Sequence, residues 1–462
     1  MFQKVLVANR GEIAARIIRA LRELGITSVA IYSEADRNAL HTELADEAIC
    51  IGPAKGLDSY ANPVAVLSAA LVTGADAIHP GYGFLSERSD FAALCEDMNI
   101  KFIGPSSQMI QNMGNKQNAR TTMKNAGVPI VPGGKDLVTN IEEARNIAEE
   151  TGYPLMIKAS DGGGGMGMRL VNTPDELEPM FEQASNETQS IYGNRDLYIE
   201  RTIYPAKHIE VQLLADEHGN VIHLGERDCS IQRNNQKVIE FAPSLSLSDN
   251  TRQSICEAAV LAAKEIGYTN AGTIEFLVDE DENFYFMEMN TRLQVEHTIS
   301  EMVTGVDIVK AQIEIAEGKP LEFSQSDIEI EGFAIECRLN AEDPYNNFRP
   351  ASGHINRLLL PNGGMGLRVE TALYSDYTLP PFYDSMVAKI ITHQPTKEGA
   401  FTLMARALYE VSVDGLDTNI DLLEALIQHP AVQADEVHSK WLEESFMSEF
   451  LEESADEAVV TE

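Results

Sequence analysis

Residues 273–297 read TIEFLVDEDENFYFMEMNTRLQVEH. The alternation predicts strands over Thr273–Asp279 and Phe284–Asn290 around an acidic turn. A four-residue loop, Glu280–Asn283, would pair Asp279 with Phe284 and set Glu275 opposite Glu288. Side chains directly across a strand pair stand about 4.5–5.5 Å apart at Cβ, where like charges destabilise the pair. A divalent cation removes that conflict, and all-oxygen ligands suit Mg²⁺ or Mn²⁺, with substrate phosphates completing the shell. Asn290 lies two residues beyond Glu288, on the same strand face, and adds a carbonyl oxygen. Two solvated surface acids are the plainer reading. The register and the apolar neighbours Phe276, Leu277, Phe286 and Met287 weigh against it.

The alternation continues through Glu288, Asn290, Arg292, Gln294 and Glu296, with Met289, Leu293 and Val295 between them. An amphipathic strand facing solvent has the same pattern. This set, however, combines metal ligands, an anion-binding guanidinium and a further carboxylate, a workable acid/base group for anionic substrates. His297 has no second His or Cys at ligand spacing and reads as structural.

Upstream, Gly162–Gly165 and Gly167 form a glycine run between two presumed strands, YPLMIK and RLV. A dinucleotide fingerprint needs a helix after the loop, so that reading is rejected. A glycine-rich hairpin still lets bare backbone N–H groups close over phosphates, with Lys158 supplying positive charge. A flexible hairpin tip is the bland reading. ERDCSIQRNNQK (226–237) clusters Arg227, Arg233 and Lys237 near Gln232, as either a phosphate or bicarbonate site or surface ion pairs. The first hundred residues alternate strand and helix, from Val5–Ala8 through a helix ending at Gly25 to Val29–Tyr32. That rhythm implies a parallel sheet. Loops 79–87 (HPGYGFLSE) and 102–107 (FIGPSS) follow strands and are candidate site walls.

The 462 residues carry 35 basic and 72 acidic groups, a formal charge of −37. That disfavours nucleic acid or an anionic membrane as partner. Residues 441–462 hold eight acids and no base and read as a solvating end. No stretch has the length of a membrane span, and no signal-peptide pattern opens the chain. Five scattered cysteines without a CxxC argue against a disulfide framework or cysteine-ligated zinc, so a cytoplasmic location is expected.

Together VANRGEIAARI (7–17), HPGYGFLSE (79–87), GGGGMGMR (162–169), ERDCSIQR (226–233), MEMNTRLQVEH (287–297) and ECRLNAEDP (336–344) resemble biotin carboxylase, the ATP-grasp component of biotin-dependent carboxylases. The resemblance runs from residue 2 to about 430. The chain has no AMKM-type biotin-bearing sequence and no room for carboxyltransferase and carrier domains, so it resembles the free-standing subunit of a multi-subunit acetyl-CoA carboxylase. The family implies a mixed α/β and α+β ATP-grasp fold. Its expected parts are a pre-ATP-grasp domain (1–115), linker helices and a mobile glycine-loop lid (116–204), a metal-bearing core (205–330), a C-terminal mixed domain (331–446) and a mobile acidic tail (447–462).

It also implies a reaction in which ATP, bicarbonate and a biotinylated carrier protein give carboxybiotin, ADP and phosphate. By resemblance, Lys116 and Lys158 hold ATP phosphates beneath Gly164, Gly165 and Met168. Glu200, Arg201, Thr202, Ile203 and Leu277 surround the adenine, and His208 and Gln232 contact the nucleotide. Glu275, Glu288 and Asn290 bind Mg²⁺ or Mn²⁺. Lys237, Arg292, Gln294 and the Val295 backbone hold bicarbonate, and Glu296 deprotonates it. Arg338 stabilises the biotin enolate, with Tyr82 nearby. A carrier protein, carboxyltransferase subunits and a second copy of the chain are the implied partners. The chain departs from the family at Asn234-Asn235, where Arg-His is usual, at Met166, where a basic residue is usual, and at Asp161, where a small residue is common. Another ATP-grasp carboxylate ligase and a non-catalytic binding subunit are the alternatives.

Overall fold

The computed structural model describes residues 1–134, 137–159 and 168–452. At the N-terminus, the strand Lys4–Val7 is followed by the helix Gly11–Glu23, whose Ile13, Ile17, Ile18 and Leu21 are buried against the sheet. The sheet is wholly parallel, as the strand–helix rhythm predicts. Its strands run in the order Glu47–Gly52, Thr27–Ser33, Lys4–Val7, Ala77–His79, Lys101–Phe102. The winding reverses between Lys4–Val7 and Ala77–His79, which opens a crevice beyond their carboxyl ends. Asn9 spans that crevice, donating from Nδ2 to the carbonyls of Pro80 and Tyr82, each at 2.7 Å. Gly81 is at φ +62, and a Cβ there would stand 2.9 Å from Asn9 Nδ2, so the crossing requires glycine.

A small antiparallel sheet follows, ordered Arg169–Val171, Leu155–Ala159, Leu197–Arg201, with the helices Ile141–Thr151 and Pro174–Tyr192 packed on it. The glycine run joins two of its strands, paired through Leu155 and Val171, which fits a hairpin and not a strand-to-helix turn. Gly164, Gly165, Asp161 and Met166 lie outside the described residues.

The largest sheet has eight antiparallel strands, ordered Phe284–Asn290, Asn270–Val278, Lys207–Ala215, Val221–Arg233, Gln236–Ala242, Phe333–Asn340, Met386–Gln394, Leu367–Thr371. Residues before and after 330 therefore share one sheet, joined where Gln236–Ala242 pairs with Phe333–Asn340. Alternation sorts its side chains. Ile209, Val211, Ile274 and Phe276 enter an apolar core with the helix Asp249–Glu265. His208, Glu210, Thr273 and Glu275 face the other way and are also buried.

The opening hairpin needs two corrections. Glu275 does pair with Glu288, and Thr273 with Asn290. Phe284, however, pairs with Val278 and not with Asp279, and Met287 is a bulge that restores the register. Asp279 has left the strand because its carboxylate accepts the backbone N–H groups of Asp281 and Asn283 at 3.1 and 2.8 Å. The strand also stops at Asn290, so residues 291–296 reach the site as irregular chain. A third correction concerns the acidic end. Helical structure persists to residue 452 because Phe446 and Phe450 pack into the C-terminal core; residues 453–462 lie outside the described part. Among the described residues, no helix is long and apolar enough to cross a membrane.

Candidate active site

One cavity on the polar face of the eight-stranded sheet is lined by Lys116, Lys158, Met168, His208, Gln232, Lys237, Glu275, Leu277, Glu288, Asn290, Arg292, Gln294, Val295, Glu296 and Arg338. These are fifteen positions selected from sequence, drawn from seven strands, one helix, Met168 just before a strand, and the irregular 291–296 segment. A neighbouring cavity of about 540 Å³ is lined by Tyr82, Phe84, Phe382 and Tyr383, at the crevice of the parallel sheet. Gln236, Lys237, Arg292, Val295 and Arg338 line both and form the wall between them.

Lys237 is the hub. Its Nζ donates to Glu210 Oε2 at 2.6 Å, Glu275 Oε1 at 3.1 Å and Gln294 Oε1 at 3.2 Å, and also to Glu296. Glu296 accepts from Arg338 Nη2 at 2.9 Å on its other oxygen. Burial works to raise the Glu296 carboxyl, but Lys237, Arg338 and Arg227 hold it well below the usual range, so it is ionised at neutral pH. Arg292 lies at the cavity mouth, with Nε on Glu87 at 2.9 Å and Nη2 on Asn290 at 3.0 Å. His208 Nδ1 meets Gln232 Nε2 at 2.7 Å. Lys158 is paired to Glu200.

The metal assignment has support in the side chains. Glu288 is half-buried, has no ion pair among the described residues, and stands directly across from Glu275. Burial and then the Glu275 charge push its carboxyl up, a repulsion that a divalent cation relieves. Asn290 lies two residues along the strand from Glu288, paired with Thr273, and its Oδ1, which accepts from Arg292 Nη2 at 3.0 Å, is the third oxygen of the set. This donor set fits Mg²⁺ or Mn²⁺. A second group, His208, Glu210 and Glu275, is also close enough for an ion. It fits less well, because Glu210 is already bonded to Arg227 at 2.5 Å and Lys237 at 2.6 Å.

Several expectations change. Glu200 is buried between Arg120 and Lys158, and Glu200, Arg201, Thr202 and Ile203 are not among the residues lining the cavity. Arg227 is fully buried on Glu210, Gln212, Ser300 and Thr273 and orders the sheet. Arg233 stacks over Phe348 at 3.7 Å, outside the cavity. Of that basic cluster only Lys237 enters the cavity. The Val295 carbonyl accepts from Lys389 at 2.6 Å. Tyr82 donates to Glu12, and its tyrosine ring lines the second cavity together with Arg338. His297 is fully buried, with Nδ1 on the Gln294 carbonyl at 2.8 Å, as a structural residue should be. Sequence reading missed Glu12, Glu210, Glu240, Glu336 and Lys389. Their signal is a lone charge within an apolar strand or helix, as in HIEVQLL and VAKII.

A lysine-lined, carboxylate-bearing cavity on an antiparallel sheet, beside a three-stranded glycine-loop sheet, defines the ATP-grasp class of ATP-dependent ligases. Family models match in sequence: Biotin carboxylase, N-terminal domain, at residues 1–110; Carbamoyl-phosphate synthase L chain, ATP binding domain, at 115–324; and Biotin carboxylase C-terminal domain at 336–444. Biotin carboxylase 1 of Bacillus subtilis is 53% identical over 96% of this chain and 98% of its own. The biotin carboxylase β-γ-ATP complex from Campylobacter jejuni superposes with a TM-score of 0.93 at 44% identity, over 96% of this chain and 99% of that one. The biotin carboxylase domain dimer of Hydrogenobacter thermophilus 2-oxoglutarate carboxylase, in complex with MgADP, ADP and bicarbonate, gives 0.91 at 51% identity, over 96% and 98%. The chain belongs to the biotin carboxylase family and is an ATP-dependent, biotin-carboxylating ligase.

Proposed function

We propose that this chain carries out the first half-reaction of acetyl-CoA carboxylase in the cytoplasm, working as a homodimer with a separate biotin carrier protein and carboxyltransferase subunits. The dimer reading is supported by the dimeric relative, and the reducing compartment by five free cysteines. The observation that carries the chemistry is Glu296, ionised in the first cavity between Lys237 and Arg338, which themselves line both cavities.

In this reading, Lys116 and Lys158 receive the ATP phosphates and Leu277 and Met168 flank the nucleotide. Glu275, Glu288 and Asn290 would hold Mg²⁺, which neutralises phosphate charge when bound. Lys237, Arg292, Gln294 and the Val295 backbone orient bicarbonate for attack on the γ-phosphate. Glu296 takes the bicarbonate proton. Its basicity is low while Lys237 and Arg338 remain paired to it, so an entering anion that draws these cations away raises it at the moment of use. Carboxyphosphate then breaks down to CO₂ and phosphate, and the phosphate deprotonates biotin. Arg338, facing both cavities, meets the enolate in the second one beside Tyr82.

The test separates two side chains. Glu296→Ala abolishes bicarbonate-dependent ATP cleavage. Arg338→Ala keeps part of that cleavage and loses carboxybiotin formation more heavily, by about 10²–10³ in rate. Equal loss of both activities in both variants contradicts the assignment.

A further inference from the structure

Behind Arg338, two acids face each other across adjacent strands. Glu240 and Glu336 are direct partners in the antiparallel register, and both are fully buried. Such side chains stand about 4.5–5.5 Å apart at Cβ. Their surroundings differ. Glu240 Oε1 accepts from Arg338 Nε at 2.6 Å and Nη2 at 2.5 Å. Glu336 has no ion pair among the described residues, and its Oε2 accepts only from the Thr298 hydroxyl. One oxygen on each remains, Glu240 Oε2 and Glu336 Oε1, both buried without a partner. An uncompensated buried carboxylate is costly enough that the group binds a proton instead.

We propose that Glu336 is held as the neutral acid and donates its proton to Glu240 Oε2, so that the pair places one negative charge, not two, behind Arg338. This satisfies both orphan oxygens with one hydrogen bond. Burial pushes both carboxyls up, with the Glu336 charge adding to it at Glu240 and the Glu296 charge at Glu336, which agrees with one proton held between them. Glu240 keeps the charge because Arg338 is on it. The other charged groups around the pair are Lys389 on the neighbouring strand, Glu12 on the first helix, Glu296 in the first cavity and Lys237 at the shared wall. The consequence concerns Arg338, and it rests on the reading above that Arg338 meets the biotin enolate. With one charge behind it, the guanidinium keeps positive potential for the substrate. With two, it is drawn back into the sheet. Glu240 and Glu336 are positioning residues in this scheme.

The proton is read first by infrared spectroscopy of the full-length protein at pH 7, as a protonated-carboxyl stretch that shifts in D₂O and is missing in Glu336→Gln. This measurement needs no turnover. The second readout is the ratio of carboxybiotin formed to ATP cleaved, against pH. In the parent this ratio falls as the pH rises and the pair loses its proton. Glu336→Gln, neutral at every pH, abolishes the fall and stays within about threefold of the parent at pH 7, as an isostere should. If Glu336→Gln does not fold, Thr298→Val serves: removing the hydroxyl donor shifts the same band to higher frequency. Absence of the band in the parent, its persistence in Glu336→Gln, its indifference to Thr298→Val, or an unchanged alkaline fall in the ratio overturns the proposal. The reading of Arg338 fails separately, if Arg338→Ala leaves the ratio intact.

Discussion

The N-terminal parallel sheet and the eight-stranded antiparallel sheet bury their strands to a similar depth but fill the buried space differently. In the strand Lys4–Val7, Val5, Leu6 and Val7 are all fully buried, and both faces are apolar. In Lys207–Ala215, Ile209 and Val211 are fully buried on one face and Glu210 and Gln212 on the other. Buried charges there lean on one another, Arg227 on Glu210, Lys237 on Glu296 and Arg338 on Glu240, with Glu336 the exception treated above. The first sheet contributes loops to the site; the second contributes its side chains. A sheet with one charged, buried face gives up some stability to hold reactive groups in fixed positions.

That contrast can be broken most forcefully on the apolar face of the second sheet. Phe276 is fully buried in its core, next to Glu275 on the other face. Phe276→Ala should cost about 3–5 kcal/mol of stability. Denaturant unfolding with activity per folded molecule checks this, and a change in the Mg²⁺ dependence of the folded fraction would show that the two faces are not independent. Glu288→Gln is the converse experiment. Losing one charged ligand should lower Mg·ATP turnover by about 10²–10³. It also removes the repulsion with Glu275, so the melting temperature without nucleotide should hold or rise. A lowered melting temperature, or an unchanged Mg²⁺ requirement, would contradict the metal assignment.

The pairing of Glu275 and Glu288 was legible because strand alternation is local. The expected loop was one residue short, and the Met287 bulge compensated, so the pairing came out right although the turn did not. Glu288, Asn290, Arg292, Gln294 and Glu296 share one cavity, yet beyond Asn290 no strand holds them there; the spacing carried the information and the assumed strand did not. Glu12, Lys389 and Glu336 stand out in sequence only as charges among apolar residues, and their roles were illegible for another reason. They act only through partners distant in the sequence, as Lys389 does on the Val295 carbonyl 94 residues away, and one sequence holds no record of that proximity. Arg227 shows the reverse error, since a basic residue in a basic cluster was bonded into the sheet.

Acid titration sharpens the comparison around the first sheet, which buries two histidines, His79 at a strand end and His41 in a short helix beside it. Burial lowers His41 to about 4 and His79 to about 3. Unfolded, each takes its proton near 6.5. Stability from these neutral imidazoles is therefore complete above that value and is lost as the pH falls toward 4, by about 1.4 kcal/mol per pH unit for each histidine. His41→Gln should reduce the slope of stability against pH between 6.5 and 4 by one proton; an unchanged slope rejects the assignment. The smallest effect is expected at Asn235, which lines the first cavity where the family usually has histidine. A donor toward phosphate adds about 1.5–3 kcal/mol when buried and less when exposed, so Asn235→His should lower the Michaelis constant for ATP several-fold. No change would mean that neighbouring groups already compensate.

The wall made by Gln236, Lys237, Arg292, Val295 and Arg338 is one layer of side chains thick. On the proposed chemistry, what is released on one side meets its acceptor on the other before bulk solvent can dilute it. Coupling efficiency, the number of biotins carboxylated per ATP consumed, then becomes a property of that partition. Substitutions that leave both rates intact but open a gap in it would show up only as wasted nucleotide.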